Sequence, residues 1–446
     1  MLDSVLVANR GEIARRIIRT ARRLGVRAVA VYSEADAGLP YVGEADEAIL
    51  LGPAPPASSY LDITAVLGAA RKAGVTAVHP GYGFLSENAA FARAVTGAGL
   101  TWVGPPPGAM EQMGDKINAR NLMEQAGVPV AAGTREPVAD ADAAAAAAAR
   151  IGYPVMVKAA AGGGGIGMSA AADEAALRTA FTTARTRAER FFSSPAILLE
   201  RCVERSRHVE IQILGLADGR VVALGERDCS VQRRHQKVAE ETPSPGVGPQ
   251  LRDRMLAAGV RAGEAVGYRG AGTVEFLLDG ASGEFMFLEM NTRLQVEHPV
   301  TELVTGVDLV EQQFLIAAGE PVSFDPAAVT RRGHALELRV YAEDPVRFLP
   351  SPGHIEEWEE PAGEGVRVDA GYTAGNTVTP YYDPLLAKLC THGVSRAQAL
   401  ARARAAVAAF RITGLRTNLP FHAELLSDGA FVSGDYDTSV VTRMRA

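Results

Sequence analysis

Alternating polar side chains follow a short apolar segment, and their chemical types suit the binding of a cation and an anion. Residues 285–288 are apolar and aromatic, which predicts a buried strand. If the chain stays extended beyond them, side chains two positions apart share one face. The polar residues on that face are Glu289, Asn291, Arg293, Gln295 and Glu297. Carboxylate and amide oxygens bind Mg²⁺, and a guanidinium binds a planar oxyanion. A binding site is therefore predicted, with a solvated edge strand as the alternative.

A run of glycines in residues 162–165 follows a predicted strand over residues 155–158. Backbone N–H groups of glycine can approach phosphate oxygens closely. The run also contains the spacing of a dinucleotide-binding fingerprint, but strand-like residues rather than a helix follow it, and no P-loop pattern is present. We therefore predict a hairpin that folds over a nucleotide, with Lys158 or Lys116 reaching the phosphates. The alternative is a flexible surface hairpin with solvent-exposed lysines.

Residues 227–237 form a second polar run that mixes arginine, lysine, glutamine and histidine. The default interpretation of such a run is a solvated charged loop. The mixture of donor types also suits contacts to a ligand, so both interpretations stay open on the pattern alone.

Composition restricts the class of protein. The chain has 446 residues, of which 22% are charged and 47% hydrophobic, as in soluble proteins of roughly two to four domains. A net charge of −7 gives no electrostatic reason to expect nucleic acid or an anionic membrane as a partner. No apolar run is long enough to span a bilayer. Three widely separated cysteines predict a reducing cytoplasm and buried, inert thiols rather than a disulfide framework or a nucleophile.

The elements that must position these residues divide into three regions. Strands over residues 2–8 and 28–32 flank a helix over 11–24, and two further units follow, which predicts an α/β domain. A helix over 115–125 opens a second region, in which the alanines of 143–149 predict a surface helix. Strands are predicted over 155–158, 197–200, 208–214, 221–225, 273–278 and 285–289. A third region contains strands over 336–342 and 365–369 and a helix over 397–410.

Several blocks together resemble the biotin carboxylase component of biotin-dependent carboxylases, within the ATP-grasp superfamily. The blocks are residues 8–14, 79–88, 113–116, 162–168, 207–210, 232–237 and 289–301, so the resemblance covers essentially the whole chain. It implies an N-terminal parallel α/β domain (1–114), an ATP-grasp domain (115–330) with a mobile glycine-rich lid at about 131–203, and an α+β C-terminal domain (331–446).

The resemblance also implies a reaction. ATP, with Mg²⁺ or Mn²⁺, phosphorylates bicarbonate to carboxyphosphate, which breaks down to CO₂ and phosphate. The phosphate is thought to deprotonate biotin, which then attacks CO₂. Biotin would be carried by a separate carrier protein, because no Met-Lys-Met acceptor motif occurs in the chain. A carboxyltransferase would be the third partner, and a homodimer is expected.

Roles can be matched position by position to the family pattern. The implied ATP-binding residues are Lys116, Lys158, Gly163, Gly164, Gly165, Glu200, Val203, His208, Gln232 and His235. The implied metal ligands are Glu275, Glu289 and Asn291, and the implied bicarbonate-binding residues are Lys237, Arg293, Gln295 and Val296. Glu297 would be the general base, and Arg339 would stabilise the biotin oxyanion beside Tyr82. Lys237, Arg293, Glu297 and Arg339 form the implied catalytic set.

Four positions depart from the family pattern. Ile166 stands where the lid of the family usually carries arginine or lysine. The absence of that positive charge could weaken the affinity for ATP. Arg201 replaces a common lysine, with little expected effect. Arg23 and Glu364 lie near the expected dimer contact, where they could form an exchanged ion pair.

The expected function is the first half-reaction of acetyl-CoA carboxylase or a related acyl-CoA carboxylase. The carboxyltransferase, and not this chain, would select the acyl acceptor. Two alternatives stay open on the sequence. One is an ATP-grasp ligase that joins a carboxylate to an amine, and the other is a weakly active nucleotide-binding scaffold.

Overall fold

The N-terminal region is a parallel sheet covered by helices, as the sequence predicts. A computed structural model describes residues 2–160, 168–192, 194–203 and 205–445 of the chain. The strands are β1 (Ser4–Val7), β2 (Arg27–Ser33), β3 (Glu47–Gly52), β4 (Ala77–His79) and β5 (Thr101–Trp102), in the order β3-β2-β1-β4-β5. The helices are α1 (Gly11–Arg23), α2 (Pro40–Glu44), α3 (Ile63–Ala73), α4 (Ala89–Gly97) and α5 (Pro107–Gly114). All four strand pairings are parallel.

Helix α1 shows why this region folds as predicted. Ile13, Ile17, Ile18 and Ala21 recur at helical spacing, and all four are buried against the sheet. The carboxyl ends of β1 and β4 therefore lead into loops at the same edge of the sheet. Tyr82 follows β4 at this edge, which is where parallel α/β sheets place ligand contacts.

The second region begins with a capped helix and a small separate sheet. Its elements are α6 (Lys116–Gln125), α7 (Ala141–Ile151), α8 (Glu174–Phe192), β6 (Val155–Ala159), β7 (Ser169–Ala171) and β8 (Ile197–Arg201). The Asp115 carboxylate accepts hydrogen bonds from the amides of Ile117 and Asn118, so α6 begins at Lys116. The three strands form an antiparallel sheet in the order β7-β6-β8. The alanine-rich stretch lies in α7, as predicted, and packs on this sheet.

An antiparallel sheet of eight strands carries the polar residues singled out in the sequence. Its first strands are β9 (Ser206–Gly215), β10 (Val221–Arg233), β11 (Gln236–Thr242), β12 (Gly270–Asp279) and β13 (Phe285–Asn291). The helices in this part are α9 (Pro249–Ala265), α10 (His298–Thr305) and α11 (Leu309–Ala317). Short 3₁₀ helices lie at Glu34–Asp36, Pro56–Ser58 and Pro326–Ala328.

The C-terminal region completes the same sheet. Its strands are β14 (His334–Tyr341), β15 (Gly353–His354), β16 (Trp358–Glu359), β17 (Val366–Ala370), β18 (Thr377–Val378), β19 (Leu385–Gly393) and β20 (Arg411–Ile412). Its helices are α12 (Arg396–Ala409), α13 (Leu419–Leu425), α14 (Gly429–Ser433) and α15 (Val440–Met444). The sheet order is β13-β12-β9-β10-β11-β14-β19-β17, so the sheet continues across residue 330. The predicted domain boundaries at residues 114 and 330 stay predictions.

The interpretation of residues 227–237 as a solvated loop is wrong. The run forms the end of β10, a two-residue turn and the start of β11. Arg234 and His235 occupy the turn with φ of 49° and 68°, the left-handed backbone that a tight antiparallel hairpin requires. Arg227 is fully buried. Its charge could be buried because acidic residues on neighbouring strands surround it, and the linear sequence does not display these strands.

Two of the three cysteines are buried, as the sequence predicts, and Cys202 is half-buried. Cys202, Cys229 and Cys390 form no disulfide. Cys229 and Cys390 are buried, and burial raises the pKa of both thiols well above the usual range. Both are therefore poor nucleophiles. Within the described ranges, no helix is both long and apolar enough to cross a membrane.

Candidate active site

Strand β9 contributes an alternating polar row to the centre of the large sheet. Val209, Ile211 and Ile213 point into one hydrophobic core. His208, Glu210 and Gln212 alternate with them and occupy the opposite face, where all three are buried. Buried polar side chains are costly unless they are paired, so the partners of this row define the site.

Lys237 on β11 is the shared partner of three carboxylates. Its Nζ donates hydrogen bonds to Glu210 at 2.5 Å, Glu297 at 2.7 Å and Glu275 at 2.8 Å. Burial lowers the pKa of Lys237, but the three carboxylates outweigh it and raise that pKa well above the ordinary value. The ammonium therefore stays charged at neutral pH.

Two arginines add positive charge on either side of Lys237. Arg227 Nε donates to Glu210 at 2.6 Å. Arg339 Nη2 donates to Glu297 at 3.0 Å, and Arg339 Nε donates to Glu240 at 2.6 Å. The site is thus an alternating array of buried acids and bases rather than a set of isolated pairs.

Glu297 lies at the point where the polar segment turns into α10, one residue before His298. Burial raises the pKa of Glu297, but Lys237, Arg339 and Arg227 outweigh burial and hold that pKa well below its usual range. An anion that draws on Lys237 and Arg339 therefore weakens their hold on Glu297 and raises its pKa.

The segment after β13 is not extended, because the strand ends at Asn291. The polar side chains still converge. Arg293 Nη2 donates to Asn291 Oδ1 at 3.0 Å, and Arg293 Nη1 donates to Gln295 Oε1 at 2.9 Å. Asn291 Nδ2 donates to Glu275 at 2.8 Å. Val296 is half-buried beside them. The predicted convergence is present, but the turn towards α10 produces it, and the predicted alternation does not extend past Asn291.

The acidic residues on β9, β12 and β13 suit a hard cation. Glu275 lies directly opposite Glu210 on β9 and Glu289 on β13. Ligand atoms of His208, Glu210 and Glu275 all lie within 4.8 Å of one another. Burial, followed by the charge of Glu275, raises the pKa of Glu289. A divalent cation would relieve this repulsion, and the oxygen-rich donor set, including nearby Asn291, suits Mg²⁺.

Lys116 and Lys158 lie at the edge of this acidic set. Lys116 opens α6; burial lowers its pKa, while nearby Glu289 raises it and nearby Lys158 lowers it. Lys158 on β6 forms an ion pair with Glu200 on β8. The two lysines thus supply local base near the carboxylates of a protein whose net charge is −7.

Other predicted nucleotide-binding residues fall at different distances from this centre. Gln232 Nε2 lies 2.7 Å from His208 Nδ1, and both are buried. His235 is exposed in the turn of the hairpin. Val203 follows the end of β8 and is half-buried. Gly163, Gly164, Gly165 and Ile166 lie outside the described residues.

Tyr82 approaches the site from the N-terminal region. Its hydroxyl donates a hydrogen bond to Glu12 in the first turn of α1. Burial and the charge of Glu12 raise the pKa of Tyr82 well above the usual range. The hydroxyl therefore stays protonated and acts as a hydrogen-bond donor.

Sequence reasoning missed three residues of this cluster: Glu210, Arg227 and Glu240. The alternation of His208, Glu210 and Gln212 among apolar residues was a usable signal for Glu210. Arg227 lies in the polar run 227–237, but its partners and those of Glu240 lie on strands that are distant in sequence, so the pattern did not identify the role of either residue.

Comparison with known proteins agrees with this geometry. Family models match residues 1–110 (biotin carboxylase, N-terminal domain), 115–324 (carbamoyl-phosphate synthase L chain, ATP binding domain) and 337–443 (biotin carboxylase C-terminal domain). A biotin carboxylase from Halalkalibacterium halodurans is 50% identical over 442 residues, which are 99% of this chain and 98% of that protein. The chain belongs to the biotin carboxylase family. As a biotin carboxylase it is an ATP-dependent ligase that uses Mg²⁺ and bicarbonate to carboxylate biotin.

Solved structures agree in fold over the whole chain. The biotin carboxylase–β,γ-ATP complex from Campylobacter jejuni has a TM-score of 0.96 and 41% identity and covers 99% of both chains. A biotin carboxylase domain dimer of 2-oxoglutarate carboxylase from Hydrogenobacter thermophilus, in complex with MgADP, ADP and bicarbonate, has a TM-score of 0.95 and 41% identity. It covers 99% of this chain and 98% of its own. The predicted order of a parallel α/β domain, an ATP-grasp domain and a C-terminal domain is confirmed, and these relatives support neither alternative function.

Proposed function

We propose that Glu297 is the general base of biotin carboxylation in this chain, on bicarbonate bound by Lys237, Arg293, Gln295 and Val296. The observation that carries the proposal is the position of the Glu297 carboxylate, 2.7 Å from Lys237 Nζ and 3.0 Å from Arg339 Nη2. The proposed base therefore lies beside the cations that would bind an oxyanion, within hydrogen-bond reach of the position proposed for bicarbonate.

The pKa of Glu297 supports a sequence of events. Before an anion enters, the neighbouring cations hold the carboxylate ionised. Bicarbonate then shares Lys237 with Glu297, which raises the pKa of Glu297 towards the value that a base needs. Glu297 accepts the bicarbonate proton while the bicarbonate oxygen forms a bond to the γ-phosphorus of ATP. The bond from that phosphorus to ADP breaks, and carboxyphosphate and ADP are the products.

Nucleotide binding would fall to the residues at the edge of the acidic set. Lys116 and Lys158 would contact the phosphates, with the backbone of residues 163–165 closing over them. Glu200 and Val203 would meet the adenine, and His208, Gln232 and His235 would line the ribose and phosphate side. The ion pair of Lys158 with Glu200 supports this assignment, because the lysine proposed for the phosphates lies beside the residue proposed for the adenine.

Glu275, Glu289 and Asn291 would hold Mg²⁺ at the end of the phosphates. When bound, the cation neutralises negative charge on the β- and γ-phosphates. Asn291 donates to Glu275, and this contact fixes the direction of one carboxylate oxygen. Arg293 in turn holds Asn291. The ligands are therefore oriented before the cation arrives.

Biotin would enter between Tyr82 and Arg339. Carboxyphosphate breaks down to CO₂ and phosphate, and the phosphate takes the proton from the ureido nitrogen of biotin. That nitrogen then attacks CO₂, while Arg339 stabilises the negative charge that develops on the ureido oxygen. A guanidinium suits this role because it stays protonated, and therefore positively charged, throughout the pH range of proteins.

We further propose that biotin arrives on a separate carrier protein, that a carboxyltransferase is the next partner, and that the chain forms a homodimer. The Hydrogenobacter thermophilus domain is itself described as a dimer, which supports the homodimer. Within one chain, Arg23 forms ion pairs with Asp308 and Glu311. Glu364 forms an ion pair with Arg402. An ion pair between Arg23 of one subunit and Glu364 of the other would have to replace these contacts. The proposed location is the cytoplasm, and the proposed acyl acceptor is acetyl-CoA or a related acyl-CoA.

The test is ADP release by the full chain with MgATP and bicarbonate, with and without free biotin. We expect biotin to stimulate bicarbonate-dependent turnover, and Glu297→Ala to remove that turnover while MgADP binding is retained. If the rate of ADP release by the parent protein does not change when bicarbonate or biotin is added, the assignment is wrong.

A further inference from the structure

Lys388 on β19 is a buried cation outside the predicted site. Its side chain has 0% exposure. A buried ammonium loses its hydration, and replacing a whole buried ion pair by apolar side chains of similar volume often leaves the fold equally stable or more stable. The position therefore calls for a role that an apolar residue would not fill.

The contacts of Lys388 lead to both sides of the site. Its Nζ donates a hydrogen bond to the carbonyl oxygen of Val296 at 2.9 Å and lies 3.1 Å from Glu12 Oε2. The other oxygen of Glu12 accepts the hydrogen bond from the Tyr82 hydroxyl. One ammonium thus joins the bicarbonate-binding segment next to Glu297 to the tyrosine on the biotin side.

Lys388 also acts beside a residue of the proposed mechanism. It lies directly opposite Arg339 across β14 and β19. Arg339 binds the Glu297 carboxylate at 3.0 Å, and Lys388 binds the carbonyl of the preceding residue, Val296. The peptide bond between Val296 and Glu297 is planar, so fixing this carbonyl also fixes the orientation of the Glu297 amide. Two cross-strand neighbours therefore hold two consecutive residues of one short segment.

The surrounding acids keep Lys388 charged. Burial lowers its pKa, but Glu12, Glu337 and Asp369 outweigh burial and raise that pKa above its ordinary value. Two cations side by side on a sheet repel each other, and each has acids of its own. Lys388 therefore acts as a fixed donor and does not exchange protons during turnover.

The approach of α1 to the C-terminal strands is built into the backbone. A Cβ at Gly371 would lie 2.7 Å from the amide nitrogen of Glu12, so a larger residue there would push α1 away from β17 and β19. The glycine allows Glu12 to reach Lys388. The contact between the N-terminal and C-terminal regions is therefore close and specific.

We propose that Lys388 is a positioning residue that sets the bicarbonate-binding segment through Val296 and the biotin-facing tyrosine through Glu12. The inference rests on the proposed function, because it needs bicarbonate and biotin to bind where that function places them. In this proposal Lys388 acts through Val296 and Glu12 and not by contact with either substrate.

The experiment measures the KM for each of the three substrates in the full chain, with free biotin as the acceptor. Lys388→Met removes both arms of this arrangement, namely the hydrogen bond to Val296 and the ion pair with Glu12. We expect the KM values for bicarbonate and biotin to rise about 10- to 100-fold, the range seen when a residue that orients a ligand-binding residue is removed. The KM for ATP stays unchanged. Glu12→Gln keeps an acceptor for Tyr82 but removes the ion pair with Lys388 that fixes the position of that acceptor, so we expect the KM for biotin to rise. The KM for bicarbonate stays constant, because Lys388 still binds the carbonyl of Val296.

A double-mutant comparison tests the arm through Tyr82. Tyr82→Phe raises the biotin KM, and we expect Lys388→Met to add less to the biotin KM in that background than in the parent protein. The increase in bicarbonate KM from Lys388→Met stays complete, because Tyr82 is not part of that arm.

Arg396→Met is the matched control. Arg396 also pairs with a buried carboxylate of the large sheet, Glu241, but touches neither Val296 nor Glu12. We expect it to lower Tm and to leave all three KM values unchanged. If Lys388→Met behaves in the same way, or if Glu12→Gln leaves the biotin KM unchanged, the positioning role is wrong and Lys388 is only structural. Glu12→Gln decides the question even if Lys388→Met does not fold. A parent protein without biotin-stimulated, bicarbonate-dependent turnover overturns the proposed function and this role together.

Discussion

Glu240 and Glu241 are consecutive buried carboxylates on β11 whose side chains take opposite faces of the sheet. Glu240 faces the proposed active site and pairs with Arg339, which is shared with Glu297. Glu241 faces the C-terminal helices and accepts hydrogen bonds from Arg396 and Tyr436, with a third contact to His334 at 2.6 Å.

The difference lies in how completely each charge is matched. On the Glu241 face, one carboxylate has several donors of its own, so its charge is fully satisfied. On the Glu240 face, one lysine is shared by three carboxylates, and Arg339 is shared by two. A satisfied cluster fixes the fold, whereas a shared cluster can exchange partners when a substrate enters. Burial alone does not distinguish the two, since both faces are buried.

The largest expected effect is on catalysis. Glu297→Gln removes the proposed base, and we expect bicarbonate-dependent ATP turnover to fall about 10²- to 10⁴-fold. Circular dichroism and Tm check that the fold is kept. Glu241→Gln in the same assay is the control from the opposite face, and an equal loss there would erase the distinction between the two clusters.

The next effect is on stability. Glu241→Gln removes the buried charge that half-buried Arg396 pairs with, and we expect the free energy of unfolding in urea to be about 3 kcal/mol lower than in the parent protein at neutral pH. Burial raises the pKa of Glu241, but hydrogen bonds from His334 and Arg396 outweigh it and lower that pKa to about 2, from an ordinary value of 4.5. The stabilisation is therefore complete above pH 4.5 and is lost as pH falls towards 2. A difference that does not narrow on acidification would contradict this.

A third prediction concerns the cation. Mg²⁺ that binds only the folded protein stabilises it by about 2.7 kcal/mol at 100 times its dissociation constant. We expect a rise in Tm with Mg²⁺ and ADP for the parent protein and for Glu241→Gln. For Glu275→Gln, we expect ADP to give the same Tm with and without Mg²⁺, because the variant lacks a proposed ligand of the cation. Equal Mg²⁺-dependent shifts in all three proteins would place the cation elsewhere.

The smallest effect is a pH dependence on the active face. Burial raises the pKa of Glu240 to about 7, although Arg339 lowers it. A raised pKa means that the folded protein binds more protons, so the stabilising contribution is complete below pH 4.5 and is lost as pH rises through 7. We expect the stability of the parent protein relative to Glu240→Gln to fall across this interval by on the order of 1 kcal/mol. The dependence is opposite in sign to that of Glu241, and the same sign at both positions would refute it.

Particular elements show how far the sequence could predict the fold and the site. The spacing of Ile13, Ile17 and Ile18 fixed α1, since a helical apolar stripe has few other solutions. The start of β10 was predicted, but its continuation through Arg227 was not, because a buried arginine is improbable until its acidic partners are known. The hairpin turn at Arg234 and His235 was missed for a related reason, since neither residue is the usual choice for a left-handed backbone.

By itself, the sequence determined the residue types of the site and the family that carries them, because the polar blocks are local and densely specific. Only the tertiary structure decided which charges share a partner. Lys237, Glu210 and Glu297 come from β11, β9 and the segment before α10, and their meeting depends on strand order and register. Coulombic and hydrogen-bond energies depend on distance and burial, and neither is a property of positions along a chain. Glu240 and Glu241 are identical residues next to each other, and the face of the sheet gives them different roles.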